Sequence, residues 1–215
     1  MHKIFITGGC GFIGSHLTEY LYKKYPKSVI YVYDKITYAS SVKNLKNILK
    51  NDRVRVIKKD ITNYKELKKH SKNTNILIHA AAESHVDKSF NLTNEFIYTN
   101  VLGTKNILDV CKEHKIKKII HISTDEVYGE IYKSSFKETS RFNPSNPYSS
   151  SKAAAEMLIN GYIHSYKLPI IIVRANNIFG TRQHPEKLLA GCCWSFLKNK
   201  KFPIHGSGQQ KRSFL

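Results

Sequence analysis

Two neighbouring carboxylates and a hydroxyl follow a short apolar run near the middle of the chain. The run occupies residues 117–122 (KKIIHI) and is rich in isoleucine, which is typical of a strand buried on both faces of a parallel sheet. Thr124, Asp125 and Glu126 come directly after it. Because an isolated buried carboxylate is costly, the position of these two carboxylates at the end of a buried strand needs an explanation, and solvated loop acids are the simplest one.

A tyrosine and a lysine lie four residues apart in NPYSSSKAAAE, a segment whose pattern predicts a helix. Tyr148 and Lys152 would then share one face of that helix. An ammonium group beside a phenol can lower the pKa of the phenol, so that the phenolate can act as a base. Taken alone, the same spacing also fits an ordinary surface pair.

A glycine turn near the amino terminus has the spacing of a dinucleotide-binding turn. Gly8, Gly11 and Gly14 lie between an apolar run and a helical pattern, where glycine lets backbone amides approach a pyrophosphate at a helix N-terminus. Asp34 follows about 20 residues later. Its carboxylate can accept hydrogen bonds from an adenosine ribose and would repel a 2′-phosphate, which favours NAD over NADP. The neighbouring Lys35 weakens that preference.

Asp60 follows the third apolar run, and its side chain has two interpretations. It could face the adenine of a bound dinucleotide, or it could cap the helix that begins a few residues later. The sequence favours neither interpretation over the other.

The elements that must position these side chains alternate between strand and helix. The strand patterns are too apolar for a sheet with one wet face, so they predict an α/β fold with a Rossmann-like, doubly wound parallel sheet. Strands are predicted at 3–7, 28–33, 54–58, 75–80, 117–123 and 169–175, with a further strand and a glycine turn in 201–215. Helices are predicted at 12–24, before residue 50, and at 64–70, 93–113, 147–166 and 186–198.

The composition is that of a globular chain with one full domain and the start of a second. The 215 residues are 41% hydrophobic and 24% charged, and no apolar run reaches the ~20 residues of a membrane span. The amino terminus lacks a signal-peptide pattern, which predicts a cytoplasmic protein. The four cysteines lack the spacing of a metal site, so we expect reduced thiols and no metal.

The formal net charge of +19 raises the question of anionic partners. Only six of the 35 basic residues are arginine, and the lysines are spread over nearly every segment without forming a patch. This distribution favours solvated lysine faces over a nucleic-acid or membrane-binding surface. A small anionic ligand fits either interpretation.

Several motifs in a fixed order resemble those of one enzyme family: TGGCGFIGSH, ISTDEVYGE, NPYSSSKAAAE, NNIFG, HPEKL and GSGQQKR. The chain resembles the extended short-chain dehydrogenases/reductases of the nucleotide-sugar type, and within them the dTDP-glucose 4,6-dehydratase family. The resemblance implies NAD as cofactor, a nucleotide-diphosphate sugar (dTDP- or UDP-glucose) as substrate, a place in nucleotide-sugar metabolism such as rhamnose biosynthesis, and a homodimer built on helices 93–113 and 147–166.

The resemblance also implies a role for each chemical group. Thr124, Tyr148 and Lys152 would oxidise C4 of the hexose. Glu126 would then remove the C5 proton, and a protonated Asp125 would give a proton to the departing C6 hydroxyl. Since the two carboxylates are consecutive near a strand end, we expect their side chains to diverge and not to act as a like-charge pair.

By the same resemblance, residues 1–180 form the NAD-binding domain with the catalytic residues, and residues 181–215 begin a substrate-binding domain. The implied cofactor-binding residues are Gly8, Gly11, Phe12, Ile13, Gly14, Asp34, Lys35, Thr37, Asp60, Ile61, Ala80, Ala81, Ala82, Ser84, Thr99, Tyr148, Lys152 and Asn177. The implied substrate-binding residues are Ser84, Thr124, Asn176, Lys187, Leu188, Pro203, His205 and Arg212.

Three questions remain open at this point: the reaction type, whether the chain is part of a longer enzyme, and the base of the nucleotide. A 4-epimerase or decarboxylase of the same fold is disfavoured by the Asp125–Glu126 couple. Family members continue beyond the point where this sequence stops, so we expect either a fragment of an enzyme or a shortened, noncatalytic NAD-binding protein. The sequence does not distinguish a thymine from a uracil nucleotide.

Overall fold

A parallel sheet of six strands forms the centre of the described chain. The structure is a computed structural model that describes residues 2–131, 135–204, 207–209 and 211–215. The strands are β1 (Lys3–Thr7), β2 (Val29–Asp34), β3 (Val54–Lys58), β4 (Ile76–His79), β5 (Lys118–Thr124) and β6 (Ile170–Ala175). They run in the order β3-β2-β1-β4-β5-β6, and every pairing is parallel.

Helices cover both faces of this sheet. They are α1 (Phe12–Lys24), α2 (Tyr64–Ser71), α3 (Val86–Asn91), α4 (Thr93–Phe96), α5 (Gly103–Glu113), α6 (Pro147–Tyr166) and α7 (Leu188–Leu197). Short 3₁₀ turns occupy Val42–Leu45 and Asp125–Tyr128, and a π-helical segment, Ile97–Leu102, joins α4 to α5. Among the described residues, none of the helices combines the length and apolarity needed to cross a membrane.

The predicted α/β class and doubly wound sheet are confirmed, whereas several elements differ. The predicted helix 93–113 is a composite of α4, the π-helical segment and α5, and the unpredicted α3 precedes it. The strand predicted in the tail is wrong where the structure describes it, because residues 201–204 have no regular secondary structure. A strand needs a neighbour for its backbone groups, and Ile204 is instead 72% exposed. His205 lies outside the described residues.

Side chains alternate between two apolar layers along the central strands. Phe5 and Leu77 belong to the layer beneath α5 and α6, whereas Ile4, Ile6 and Ile78 belong to the layer beneath α1. Burial on both faces is what made these strands continuous apolar runs in the sequence. The sheet therefore holds the two helix layers in fixed positions relative to the strand ends.

The strand order reverses between β1 and β4, so the crevice at their carboxyl ends is the expected ligand site of such a sheet. Thr7 at the end of β1 is in register with Tyr33 of β2 and with His79 of β4. His79 is in turn in register with His121 of β5. The ends of four strands therefore meet at one edge.

A buried ion pair fastens α6 to the two strands beside it. Glu156 of α6 is fully buried, and both its carboxylate oxygens accept hydrogen bonds from Arg174 of β6, the shortest from Nη2 at 2.7 Å. Ser123 Oγ of β5 donates to Glu156 Oε1 at 2.5 Å, and Arg174 Nη1 donates to the Tyr128 hydroxyl at 2.6 Å. We call these four residues the α6 brace.

We expect Arg174→Met to lower the free energy of unfolding by about 3 kcal/mol, because it leaves the buried carboxylate of Glu156 unpaired. Lys105→Met is the matched control: the Lys105–Asp109 pair is as short, at 2.7 Å, but the lysine is 46% exposed. Its loss should cost less than about 1 kcal/mol. Urea unfolding measures both values, and equal small losses in the two variants would contradict the brace.

Candidate active site

A cavity of about 430 Å³ opens at the carboxyl ends of the strands. Its wall includes every predicted cofactor-binding residue and, of the predicted substrate-binding residues, Ser84, Thr124, Asn176, Lys187, Leu188 and Arg212. Pro203 is not among the lining residues, and neither is Asp125, although its neighbours Thr124 and Glu126 are. These are positions only; the roles assigned to the residues stay predictions.

The glycine turn at the end of β1 leaves no space for side chains. Gly8 has φ +69°, and a Cβ there would lie 2.6 Å from Ala81 N, while one on Gly14 would lie 2.1 Å from Gly8 O. Helix α1 begins after Gly11, whose position at the N-cap supplies no side-chain hydrogen bond. The first backbone N–H groups of α1 can therefore donate to an anionic group in the cavity.

Asp34 is held in place by the backbone around it. Its Oδ2 accepts a hydrogen bond from Cys10 N at 2.9 Å, and its Oδ1 accepts from Ile36 N at 2.8 Å and from Ser40 Oγ at 3.1 Å. A carboxylate can accept about four hydrogen bonds, so this one keeps room for one more donor. The side chain is thus fixed as an acceptor on the cavity wall.

The helix-cap interpretation of Asp60 is wrong. The side chain that caps α2 is Asn63, which accepts a hydrogen bond from Glu66 N at 3.2 Å. Asp60 instead accepts from Thr62 N at 2.9 Å and pairs with Lys35 at 2.9 Å. It lies on the cavity wall, where a bound adenine could reach it.

The two neighbouring carboxylates lie on a 3₁₀ turn immediately after β5. Thr124 Oγ1 accepts from Glu126 N at 3.2 Å and donates to Asp125 Oδ1 at 3.3 Å. Asn146, the N-cap of α6, donates to Glu126 Oε2 at 3.4 Å. The turn and the start of α6 together therefore orient the predicted acid and base.

Burial raises the pKa of both carboxyl groups. For Asp125, desolvation outweighs the hydrogen bonds from Thr124 and from the turn's backbone. For Glu126, desolvation is again the largest cause of the raised pKa, and the charge of Asp125 raises it further against the opposing effects of Asn146 and Arg212. The charge of Asp125 is a lesser cause than burial, so the expectation that the two side chains diverge and do not act as a like-charge pair stays a prediction.

Tyr148 and Lys152 are both buried on the face of α6 that meets β5. Burial lowers the pKa of Lys152 to about 8, with Glu156 opposing the shift. Burial raises the pKa of Tyr148, and Glu126 raises it further. Lys152 Nζ donates to Ile122 O at 2.8 Å. Desolvation is the largest cause, so the net shift of the Tyr148 pKa is upward, opposite to the lowering that was predicted from Lys152.

Asn100 is a site residue that the sequence analysis missed. Its side chain accepts from Glu83 N and donates to Glu83 O, both at 2.9 Å, and it also donates to Ser151 Oγ at 2.8 Å. It lies in the π-helical segment and is 1% exposed. The sequence feature that could have indicated it is a single asparagine within the apolar part of a predicted helix, in residues 99–104 (TNVLGT). It ties the cavity wall after β4 to α6.

Two buried histidines behind the cavity were also missed. His79 Nδ1 lies 2.7 Å from Thr7 Oγ1, and His121 Nε2 lies 3.4 Å from Lys152 Nζ. Burial and the charge of Lys152 lower the pKa of both imidazoles, so they are neutral near pH 7. In the described part of the chain, no cluster of three His, Cys, Asp or Glu side chains is arranged to hold a metal ion.

The segment after β6 closes the cavity from the other side. Lys187 Nζ donates to Ser84 O at 2.6 Å, and burial lowers the pKa of Lys187. Further lining residues in this segment were not predicted, among them Gln183, His184 and Glu186. Lys187 and Arg212 both line the cavity, and the charges of both lower the pKa of Glu126 against the effect of burial.

A sequence model of the GDP-mannose 4,6 dehydratase family matches residues 5–215. The chain belongs to this family. It is 45% identical to a dTDP-D-glucose 4,6-dehydratase of Dictyostelium discoideum over its whole length and 52% of that protein, and 40% identical to the human dTDP-D-glucose 4,6-dehydratase over 99% of this chain and 61% of that protein. The chain thus spans between half and two thirds of the length of these relatives.

Solved structures give the same result for the fold. DesIV, a dTDP-glucose 4,6-dehydratase from Streptomyces venezuelae with NAD and TYD bound, superposes with a TM-score of 0.96 at 35% identity, covering 99% of this chain and 67% of DesIV. A UDP-glucuronic acid 4-epimerase from Bacillus cereus gives a TM-score of 0.92 at 31% identity, over 99% of this chain and 68% of the epimerase. The predicted resemblance to dTDP-glucose 4,6-dehydratases is confirmed.

Proposed function

We propose that this chain carries the cofactor-binding and catalytic residues of an NAD-dependent nucleotide-sugar 4,6-dehydratase, a hydro-lyase that acts on dTDP- or UDP-glucose. The observation that carries the proposal is the Thr124-Asp125-Glu126 turn beside Tyr148 and Lys152, at the edge of a cavity behind a glycine turn. The names of the relatives support it.

Successive parts of the cavity wall would hold successive parts of NAD. The glycine turn and the N-terminus of α1 would hold the pyrophosphate, Asp34 the adenosine ribose, and residues 80–82 with Tyr148 and Lys152 the nicotinamide end. NAD, when bound, supplies a reversible hydride acceptor for the sugar. DesIV, which has the same fold, contains NAD in its crystal structure.

Tyr148 and Thr124 would act at the C4 hydroxyl of the hexose. The Tyr148 phenolate accepts the hydroxyl proton as C4 becomes a ketone, and Thr124 orients the hydroxyl by hydrogen bonding. Because burial raises the pKa of Tyr148 in the protein alone, the phenolate depends on the nearby positive charge of Lys152. The pKa of Lys152 is about 8, so its ammonium carries this charge below that pH and loses it at higher pH.

Glu126 and Asp125 would perform the elimination of water. The new C4 ketone makes the C5 proton acidic, and the Glu126 carboxylate removes it. Asp125 protonates the C6 hydroxyl, so that the C6–O bond breaks, water leaves and a C5=C6 double bond forms. The hydride taken from C4 would then return to C6, and a proton would return to C5, which gives the 4-keto-6-deoxy sugar. A raised pKa makes Glu126 a stronger base and helps Asp125 keep its proton. A 4-epimerase on the same fold would need no acid and base for elimination, so the couple favours the dehydratase.

The base of the nucleotide stays open between thymine and uracil. Relatives of both kinds exist: the Dictyostelium protein is a dTDP-D-glucose 4,6-dehydratase, and a trifunctional protein of Arabidopsis thaliana, 41% identical over 99% of this chain, is a UDP-glucose 4,6-dehydratase. Lys187 and Arg212 would bind the diphosphate that both substrates share. A cytoplasmic location is part of the proposal, and the four free cysteines are consistent with a reducing compartment.

We expect Glu126→Gln to separate the two half-reactions of the active protein. The glutamine cannot remove the C5 proton, so formation of the 4-keto-6-deoxy sugar should fall ~10²- to 10⁴-fold, while C4 oxidation still produces an NADH absorbance at 340 nm. Tyr148→Phe should abolish that absorbance. Glu138→Gln changes an exposed carboxylate outside the cavity and should behave like the parent. Near-parental product formation by Glu126→Gln would rule out Glu126 as the base, and a parent that forms no 4-keto-6-deoxy sugar would rule out the dehydratase assignment.

The proposal includes a two-fold homodimer through the stretch 93–113 and α6. Apolar side chains on these helices are exposed in the single chain: Ile97 by 48%, Tyr98 by 59%, Leu102 by 40% and Met157 by 54%. An isologous contact between such helices would cover them.

We expect light scattering to give the mass of a dimer for the parent and of a monomer for Tyr98→Glu, because a charge on the covered face is costly to bury. Tyr20→Glu alters a tyrosine that is 55% exposed on α1, on the other side of the sheet, and should leave the dimer intact. A monomeric parent at all concentrations would count against the interface.

A further inference from the structure

Both lysines at the adenosine end of the cavity are paired with carboxylates of the chain itself. Lys35 Nζ lies 2.9 Å from Asp60 Oδ2, and Lys59 Nζ lies 3.1 Å from Glu66 Oε2. Lys35, Lys59 and Asp60 all line the cavity. The formal net charge of the chain is +19, so lysine is in excess over the chain as a whole. At this end of the cavity, by contrast, each of the two lysines is neutralised by a carboxylate partner.

The charges around Lys35 are mostly negative. Its pKa is raised, chiefly by the hydrogen bond with Asp60, with further contributions from Glu83 and Glu95. Asp34 adds a fixed acceptor that three hydrogen bonds hold in place. A ribose 2′-hydroxyl can donate a hydrogen bond to these carboxylates. A 2′-phosphate is an anion, and among the described lining residues at this end both lysines are already paired with carboxylates.

Besides its pairing with Lys35, the Asp60 carboxylate accepts a hydrogen bond from Thr62 N at 2.9 Å. Burial pushes its pKa upward, but the Thr62 backbone N–H and the Lys35 ammonium outweigh that effect and hold the pKa below its usual value. Asp60 is therefore ionised near pH 7 and available to the lysine. Its amide replacement would keep an oxygen for Thr62 N while removing the charge that holds Lys35.

We propose that Asp60 is a specificity-determining residue that acts through Lys35: by holding the lysine in an ion pair, it prevents Lys35 from binding a 2′-phosphate and completes the preference for NAD that Asp34 begins. This inference rests on the proposed function, because it assumes that a dinucleotide binds in the cavity. Asp34 at the end of β2 favours NAD, and the charge of the neighbouring Lys35 weakens that preference. An ion pair between Lys35 and Asp60 explains how the chain can carry both residues and still prefer NAD.

The expected size of the effect is modest. The Lys35 side chain is 60% exposed, so water screens its charge and each ion pair it makes is weak. Releasing Lys35 should therefore lower the ratio of the NADP to the NAD dissociation constant ~3- to 10-fold. The ratio is the informative quantity, because a general loss of fit at the adenosine end weakens both dinucleotides together.

Calorimetric titration with NAD and with NADP tests the inference on four proteins: the parent, Asp60→Asn, Lys35→Ala and the double variant. The parent should prefer NAD. Lys35→Ala should leave the ratio within about twofold, because the lysine is already occupied. Asp60→Asn should lower the ratio of the NADP to the NAD dissociation constant ~3- to 10-fold. In the double variant, which has alanine at position 35, most of that decrease should be absent. Glu113→Gln breaks a similar exposed pair, with Lys68 at 2.8 Å, away from the cavity, and should leave the ratio unchanged.

Each other result overturns a specific part of the account. An unchanged ratio in Asp60→Asn contradicts the inference, and so does an equal change in Asp60→Asn and the double variant, since Asp60 would then act by its own charge. A parent that binds NAD and NADP equally would contradict the role of Asp34. A parent that binds neither dinucleotide would contradict the proposed function itself, and the inference with it.

Discussion

Burial of ionisable side chains at one edge of the sheet is the constraint on which the site depends. The same desolvation raises the pKa of Asp125, Glu126 and Tyr148 and lowers the pKa of Lys152 to about 8. Acid and base chemistry near neutral pH requires groups that exchange protons in that range. Burial moves the pKa of Asp125, Glu126 and Lys152 toward that range and the pKa of Tyr148 away from it.

Packing behind the cavity keeps these groups in place. The α6 brace ties the helix of Tyr148 and Lys152 to β5 and β6, and Asn100 ties the same helix to the loop after β4. Asn146 begins α6 with a reciprocal capping interaction and also reaches Glu126. One helix thus carries two of the proposed catalytic side chains and orients a third.

The adenosine end and the sugar end of the cavity differ in charge. Carboxylates pair with Lys35 and Lys59 at the first end, and the proposed diphosphate ligands Lys187 and Arg212 line the second end. A formal net charge of +19 therefore says little about the ligand. What matters for recognition is which cations lack a carboxylate partner within reach of the ligand.

Much of the fold follows from local signals in the sequence. The bounds of β1, α1, β3 and α6 agree with the predictions, because apolar runs, the glycine turn and a proline at the first turn of α6 mark them. The six-residue α3 carries little periodic signal, and the π-helical segment continues a helical pattern without a visible break. The tail strand was wrong because an apolar stretch predicts a strand only where a neighbouring strand pairs with it.

The site was predictable in its residue types and less so in its electrostatics. Glycine, aspartate, tyrosine and lysine spacing located the cavity wall, and the resemblance assigned the roles. The pKa of Tyr148, the repulsion between Asp125 and Glu126 and the pairing of Asp60 with Lys35 depend on burial and distance. Those quantities are set by the folded structure, which the spacing of residues in the sequence does not reveal.

Substrate labelled with deuterium at C4 of the glucose tests the central claim most directly. The account has the hydrogen leave C4 during oxidation, remain within the cavity while Glu126 and Asp125 eliminate water, and return to C6. Mass spectrometry and NMR of the product should therefore find the deuterium at C6 of a 4-keto-6-deoxy sugar. Deuterium retained at C4 of an epimerised sugar, or a product without deuterium at C6, would contradict it.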